Sequence, residues 1–260
     1  MNILELNKLS SLHDWKNVIF CKTDYLFEEF EKIKKLENDV VLISGNSDYP
    51  IDEFRFSKKP KNVKIWYAQN ALFNDNSLIP IPMGIENKVP AYRDNHGVGY
   101  YDRVSLKENL ILRNLKIKPT KKIYANFNIA TNYTYRSAVR NVCILSNHID
   151  WEEPNLNLGD FFDKILDYEM VVCPIGNGVD TYRLWEVLYS NRIPITIKVG
   201  NFKIYELYEK LPIIILDNIE DLYNIDLIEK KLEKIKSNEY DLSVLDTSYW
   251  FDKIKENKTN

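Results

Sequence analysis

Short apolar runs alternate with longer amphipathic stretches along this chain, and the alternation happens twice. Strands are predicted at Asn17–Cys21, Asp39–Ile43 and Lys64–Ala68, with a helix from Leu26 to Leu36 between the first two. Ser77–Met83 carries two prolines and reads as an edge strand or a short extended piece. A loop rich in glycine and polar groups follows at Tyr92–Tyr101, then a helix over Val104–Leu115. The pattern restarts with a strand at Lys121–Phe127 and helices over Tyr133–Val142 and Leu158–Asp167. A strand at Met170–Cys173, a helix ending at Tyr189 and a strand at Ile195–Ile197 come next. The last predicted pieces are a strand at Ile213–Leu216, a helix across Ile219–Ile235 and an amphipathic helix from Ser248 to Ile254. Such alternation implies an α/β chain with helix-covered parallel sheets. The short polar connection Lys116–Thr120 divides it into residues 1–117 and 118–260.

Met170–Thr196, MVVCPIGNGVDTYRLWEVLYSNRIPIT, is the most informative stretch. Pro174–Gly178 ends the strand, and the glycine loop opens directly onto a helix that Asp180 or Thr181 can cap. Backbone N–H groups at Gly176, Asn177 and Gly178, with the helix dipole, form a site for an anion such as a diphosphate. Arg183 and Glu186 stand three residues apart and project from one side of the helix. An arginine can clamp a phosphate, and a carboxylate can accept both hydroxyls of a ribose. A turn that only reverses the chain, beside a solvated ion pair, is the bland alternative. Tyr124–Arg136, YANFNIATNYTYR, repeats the order strand, polar loop, helix start, with Thr131 or Asn132 as N-cap. Doubly wound sheets bind ligands at strand carboxyl ends, which places this loop and Arg136 on the same rim as the glycine loop. For Arg136 the plain alternative is an exposed helix arginine.

The wording C-P-x-G-N-G-x-D-T-x-R-L-W-E-x-L-Y-x-x-x-I-P-I closely resembles the nucleotide-sugar-binding segment of exostosin-like glycosyltransferases, including their viral and bacterial relatives. The resemblance is specific over this stretch and looser elsewhere. It implies a GT-B architecture, two Rossmann-like domains facing across a cleft, with the first on the acceptor side and the second binding the nucleotide-sugar. In such enzymes the last helix commonly crosses back onto the N-terminal domain. The implied reaction moves a sugar from a nucleotide diphosphate, UDP favoured and GDP the alternative, to a glycan hydroxyl with inversion. Asn128, Thr131, Arg136, Gly176, Asn177, Gly178, Asp180, Thr181, Arg183 and Glu186 are then the donor-binding set.

An inverting transferase needs a base for the acceptor hydroxyl. Asp48, in the S-G-N-S-D-Y-P loop after the second strand, is the first candidate and Glu86, in P-M-G-I-E-N, the second. An Asx-turn aspartate that only shapes the loop is the alternative for Asp48. Gln69, Asn70 and His96 are candidate acceptor contacts, while core packing is the better reading of Trp66 and Trp185. No Asp-x-Asp pair or metal-ligand spacing occurs, so arginines and a helix N-terminus are expected to stabilise the leaving group with no metal or other cofactor.

At 260 residues, with 45% hydrophobic and 28% charged residues, the composition is that of an ordinary globular chain. A net charge of −3 gives no reason to expect nucleic acid as a partner. Cys21, Cys143 and Cys173 lie in apolar runs, read as buried thiols, and suit a reducing cytosol. There is no membrane-spanning apolar stretch and no signal-peptide pattern, which points to the cytoplasm and leaves contact with a membrane surface open. Two rivals stand beside the transferase. One is a nucleotide- or glycan-binding module without catalysis. The other is an NAD-type oxidoreductase, opposed by Thr181 standing where G-x-G-x-x-G requires its third glycine.

Overall fold

The computed structural model describes residues 2–87, 101–113 and 117–257. They form two compact α/β units, each with its own parallel sheet. The first comprises Met1–Asn87, Asn201–Leu207 and Leu242–Asn260, and the second Lys88–Gly200 and Tyr208–Asp241.

The first sheet contains β1 (Val18–Lys22), β2 (Val40–Gly45), β3 (Val63–Ala68) and β4 (Leu78–Pro80), hydrogen-bonded in that order and all parallel. Every residue of β2 is buried, as expected of a strand covered on both faces. Alternate residues supply two cores. Val40 and Leu42 pack with Leu26, Phe30 and Ile33 of α1 (Leu26–Ile33) and with Trp66. Val41 and Ile43 pack on the other side with Leu6, Leu9 and Leu12 of a 3₁₀ stretch, and with Trp250 and Ile254 near the C-terminus. α2 (Glu53–Ser57) follows the loop after β2, capped by the Asp52 side chain on the Arg55 N–H. Proline falls at the end of β4, an edge strand where a missing N–H costs nothing.

The second unit holds α3 (Tyr101–Arg113), β5 (Lys121–Ala125), α4 (Tyr133–Leu145), β6 (Ile149–Trp151), α5 (Leu158–Asp167), β7 (Tyr168–Val172), α6 (Tyr182–Tyr189) and β8 (Ile193–Ile197). After the short α7 (Tyr205–Tyr208), β9 (Ile214–Leu216) and α8 (Ile225–Lys236) complete it. The closing helix α9 (Thr247–Glu256), which carries Trp250 and Ile254, lies in the first unit. α3 packs against α5 and α6 and falls in the second unit.

The second sheet has the order β6-β5-β7-β8-β9, all parallel. Counted from β5 this is 2-1-3-4-5, a doubly wound Rossmann-like arrangement in which the strand order reverses between β5 and β7. On one face Val139, Val142 and Cys143 of α4 and Ile228 and Leu232 of α8 pack with Ile123, Met170 and Ile195. α5 packs on β7 and α6 on β8 without joining that cluster, which places both on the opposite face. β6 is a strand the sequence reading omits.

The three thiols are free and buried, each pushed up to about 12, chiefly by burial. Among the described residues no helix is long and apolar enough to cross a membrane.

Trp250 is 2% exposed, meets Tyr67 edge-on at 6.3 Å and donates its indole N–H to the Val244 carbonyl at 2.8 Å. Trp250→Ala should therefore destabilise the first unit by about 3–5 kcal/mol. Urea unfolding followed by circular dichroism measures this, and a loss below about 1 kcal/mol would mean α9 adds little to that core.

Candidate functional site

Crevices in doubly wound sheets open where consecutive strand-to-helix loops depart to opposite faces. Here those loops are residues 126–132, between β5 and α4, and residues 173–181, between β7 and α6. Arg136, on the first full turn of α4, ties them together. Its Nε donates to Ile175 O at 2.7 Å, Nη1 to Asn128 O at 2.7 Å and Nη2 to Pro174 O at 3.2 Å. Asn132, at the α4 N-cap position, sends its side-chain amide to Gly176 O at 3.1 Å instead of capping its own helix. Burial first, and the nearby Arg183 charge second, lower the Arg136 guanidinium to about 10.

Gly176 is where the guanidinium crosses the chain. A Cβ there would stand 3.1 Å from Arg136 Nη2, a tighter approach than side chains normally make. Only glycine leaves Arg136 undisturbed at that point. Asn177 is exposed and Gly178 half-buried, with the Gly176 N–H closing a turn onto Gly178 O at 3.0 Å. Thr181 is the α6 N-cap residue, and its own side chain makes no capping hydrogen bond. Asp180 is 1% exposed and serves the core: it accepts from Trp185 Nε1 at 2.6 Å and Tyr208 Oη at 2.7 Å. Trp185 and Trp66 are both fully buried. Asn128 and Thr131 are exposed on the lip, the Asn128 side chain accepting from the Ala130 N–H at 2.9 Å.

Arg183 lies across the mouth. It donates through Nη1 to Asn126 O and stacks over the Phe161 ring at 3.9 Å. Its buried Nε makes no hydrogen bond, although Glu186 Oε2 stands 3.5 Å away. Glu186 is only 6% exposed, and its Oε1 meets Lys107 Nζ at 2.6 Å. Lys107, on α3, is 2% exposed. Glu186 is thus the centre of a buried Lys107–Glu186–Arg183 triad, and a ribose diol would have to displace an ammonium to reach it. Sequence reasoning missed Lys107. The signal for it is a lysine three and four positions before Leu110 and Ile111, the buried apolar pair of α3. Arg136 and Arg183 bring two guanidiniums to these loops, and Lys107 pairs with Glu186 behind Arg183.

The residues expected to face an acceptor, Asp48, Glu86, Gln69 and Asn70, fall in the first unit. Asp48 is exposed in the bend after β2, whereas Glu86 is 7% exposed. Gln69 spends both ends on backbone: Oε1 accepts from the Asn46 N–H at 2.8 Å, and Nε2 donates to Pro82 O at 3.3 Å and Met83 O at 3.2 Å. Asn70 is fully buried at φ +48° and donates to Ser47 O at 3.3 Å. These geometries make Gln69 and Asn70 braces of the β2 and β3 loop ends. His96 lies outside the described residues. Among those residues no group of three or more His, Cys, Asp or Glu is placed to hold a metal ion.

In comparisons with known proteins, the chain matches no family model and no curated protein.

Breaking a buried ion pair by removing one partner strands the other charge. Lys107→Met and Glu186→Met should each cost about 3–5 kcal/mol, and the double variant less than the two losses added. Urea unfolding of all three variants tests the coupling, and strictly additive losses would show none.

Proposed function

We propose that this chain is a GT-B type glycosyltransferase that moves a sugar from a nucleotide diphosphate, UDP the favoured nucleotide, to a glycan hydroxyl. One observation carries the reading. At the strand-order reversal of the second sheet, a glycine loop opens onto the α6 N-terminus near two guanidiniums, one of which has a buried N–H without a hydrogen bond. That is a ready receptor for a diphosphate. The resemblance of Cys173–Ile195 to exostosin-like donor segments supplies the substrate class.

In this reading the N–H groups of Asn177 and Gly178 and the first turn of α6 approach the diphosphate, while the Gly176 N–H is committed to Gly178 O and fixes the turn. Arg183 supplies the contacting cation. Arg136 supports it with charge and holds the loop in shape, since three of its donors are committed to carbonyls. Asn128 and Thr131 offer polar contacts from the lip. Glu186 orients Arg183. As the acceptor oxygen attacks the anomeric carbon, the sugar–phosphate bond breaks and negative charge grows on the departing diphosphate. Fixed cations and helix amides stabilise that charge as it forms, and no metal is needed for it. Asp48, with Glu86 as the alternative, takes the acceptor proton, and attack opposite the leaving group inverts the centre.

Arg183→Gln should weaken UDP binding about ten- to a hundredfold, the worth of one or two charge-assisted hydrogen bonds. Calorimetric titration of UDP, GDP, CMP and dTDP into wild type and variant checks it. If none of the four binds wild type, the nucleotide reading fails.

Asp48→Asn should leave nucleotide affinity nearly intact while lowering kcat about 10²- to 10⁴-fold. Steady-state transfer by Asp48→Asn and Glu86→Gln, side by side, tells the two bases apart. A collapse in Glu86→Gln alone moves the base to Glu86. Nucleotide binding without turnover on any acceptor would make the chain a binding module.

A further inference from the structure

We infer that Glu152, at the carboxyl end of β6, is the carboxylate that accepts the ribose diol of the bound nucleotide. The inference rests on the nucleotide-diphosphate reading and fills the one part of that site which Glu186 cannot serve from within its buried triad.

β6 lies beside β5, on the side away from β7, and Trp151 is its last residue. Glu152 therefore stands on the same carboxyl rim as both site loops, with its N–H bonded to Ala125 O at 3.0 Å. An acidic side chain at the end of the strand next to the first strand is where dinucleotide-binding sheets hold a ribose hydroxyl. The side chain is also fixed. Oε2 accepts from Tyr124 Oη at 2.7 Å, and Lys164 Nζ stands 3.5 Å from the same oxygen. None of the described residues bonds Oε1, and the side chain is 32% exposed. A carboxylate with one oxygen anchored and the other open is preorganised to accept from a hydroxyl.

The neighbouring carboxylate is held on the other side of the sheet, by Arg140 of α4, whereas Glu152 lies beside α5, whose Phe161 carries Arg183. Glu153 Oε1 is taken by Arg140 Nη2 at 2.5 Å and Trp151 Nε1 at 3.1 Å. The distance to the diphosphate site also fits. Arg183 stacks on Phe161, while Glu152 sits beside Lys164, and these two α5 residues are one turn apart on one helix face. Arg183 and Glu152 thus flank one side of α5 with about a helical turn between them, a spacing of the order that separates a nucleotide's diphosphate from its ribose diol. Tyr124 lies between, its phenol on Glu152 and within the field of Arg183.

The test compares UDP with 2′-deoxy-UDP, and GDP with 2′-deoxy-GDP, by calorimetry on the full chain. Wild type should prefer the ribonucleotide about ten- to a hundredfold, the worth of a hydrogen bond to a charged acceptor. In Glu152→Gln the preference should fall towards unity through weaker ribonucleotide binding, with deoxynucleotide affinity unchanged. The Lys107→Met/Glu186→Met double variant, which removes the other carboxylate, should keep the preference. A preference that survives Glu152→Gln, or disappears only in the double variant, overturns the inference. So does wild-type protein that binds both forms equally, although the diphosphate reading then stands. If no nucleotide diphosphate binds at all, that reading falls first and the assignment of Glu152 falls with it.

Discussion

Arg136 donates to the carbonyls of Asn128, Pro174 and Ile175, one on the β5 side of the strand-order reversal and two on the β7 side. Taking a guanidinium out of water is costly unless its donors are satisfied, and the fall of its titration to about 10 expresses that cost. Each bond to a carbonyl offsets part of it and fixes a stretch of loop backbone that has no sheet partner. The order at this rim follows from that exchange. A side chain at residue 176 would press on the guanidinium, which crosses there, and shift it. Asn132 gives up capping its own helix to hold Gly176 O. The Gly176 N–H closes on Gly178 O, so the glycine turn is fixed by its own backbone as well as by these two side chains.

Arg183 completes the arrangement by a different route. It stacks on Phe161 and bonds Asn126 O, and Glu186 lies close enough to balance part of its charge. Left alone with Glu186, Arg183 would be drawn toward the carboxylate. Lys107 holds the other carboxylate oxygen at 2.6 Å and opposes that pull. A buried triad of this kind is a poor source of stability compared with apolar packing. Its physical effect is on orientation, keeping a guanidinium at the mouth of the site with an unsatisfied N–H.

Local patterns carried much of this into view, and long-range pairing carried what they could not. The glycine loop, α6 and the flanking strands follow from periodicity and turn chemistry within Met170–Ile197, and both parallel sheets follow from the alternation of elements. β6 did not. Ile149 and Trp151 alternate around Asp150 over only three residues, too short a run to stand out after a helix. Missing β6 hides the strand order, and with it the significance of Glu152. Glu186 illustrates the opposite difficulty. Its i,i+3 relation to Arg183 is visible locally, but Lys107 comes from 79 residues away, and only tertiary packing brings it to the carboxylate. Gln69 and Asn70 likewise follow a strand, as ligand-binding residues often do, yet their amides satisfy buried backbone at the β2 and β3 ends.

The two sheets differ in a way that bears on where an anion can bind. In the first, β1 to β4 run in sequence order, so right-handed crossovers send their connections to one face. The opposite face is covered by pieces from the chain ends, the stretch Leu6–Leu12 and the helix Thr247–Glu256. Among the described residues the strand order of this sheet does not reverse, so it has no switch point of the doubly wound kind. Its loop ends are closed by side-chain amides: Asn7, Asn46 and Asn87 bond in a ring, with Asn46 Nδ2 to Asn7 Oδ1 at 2.6 Å and Asn87 Nδ2 to Asn46 Oδ1 at 2.8 Å. Amide rings of this sort are neutral and self-satisfied, so they shape a surface without attracting charge. The second sheet reverses its order, parts two loops at the reversal and places guanidiniums on both. Strand order therefore separates the two rims: the reversal in the second sheet parts two loops that guanidiniums hold, whereas the sequential order of the first leaves its loop ends to neutral amides.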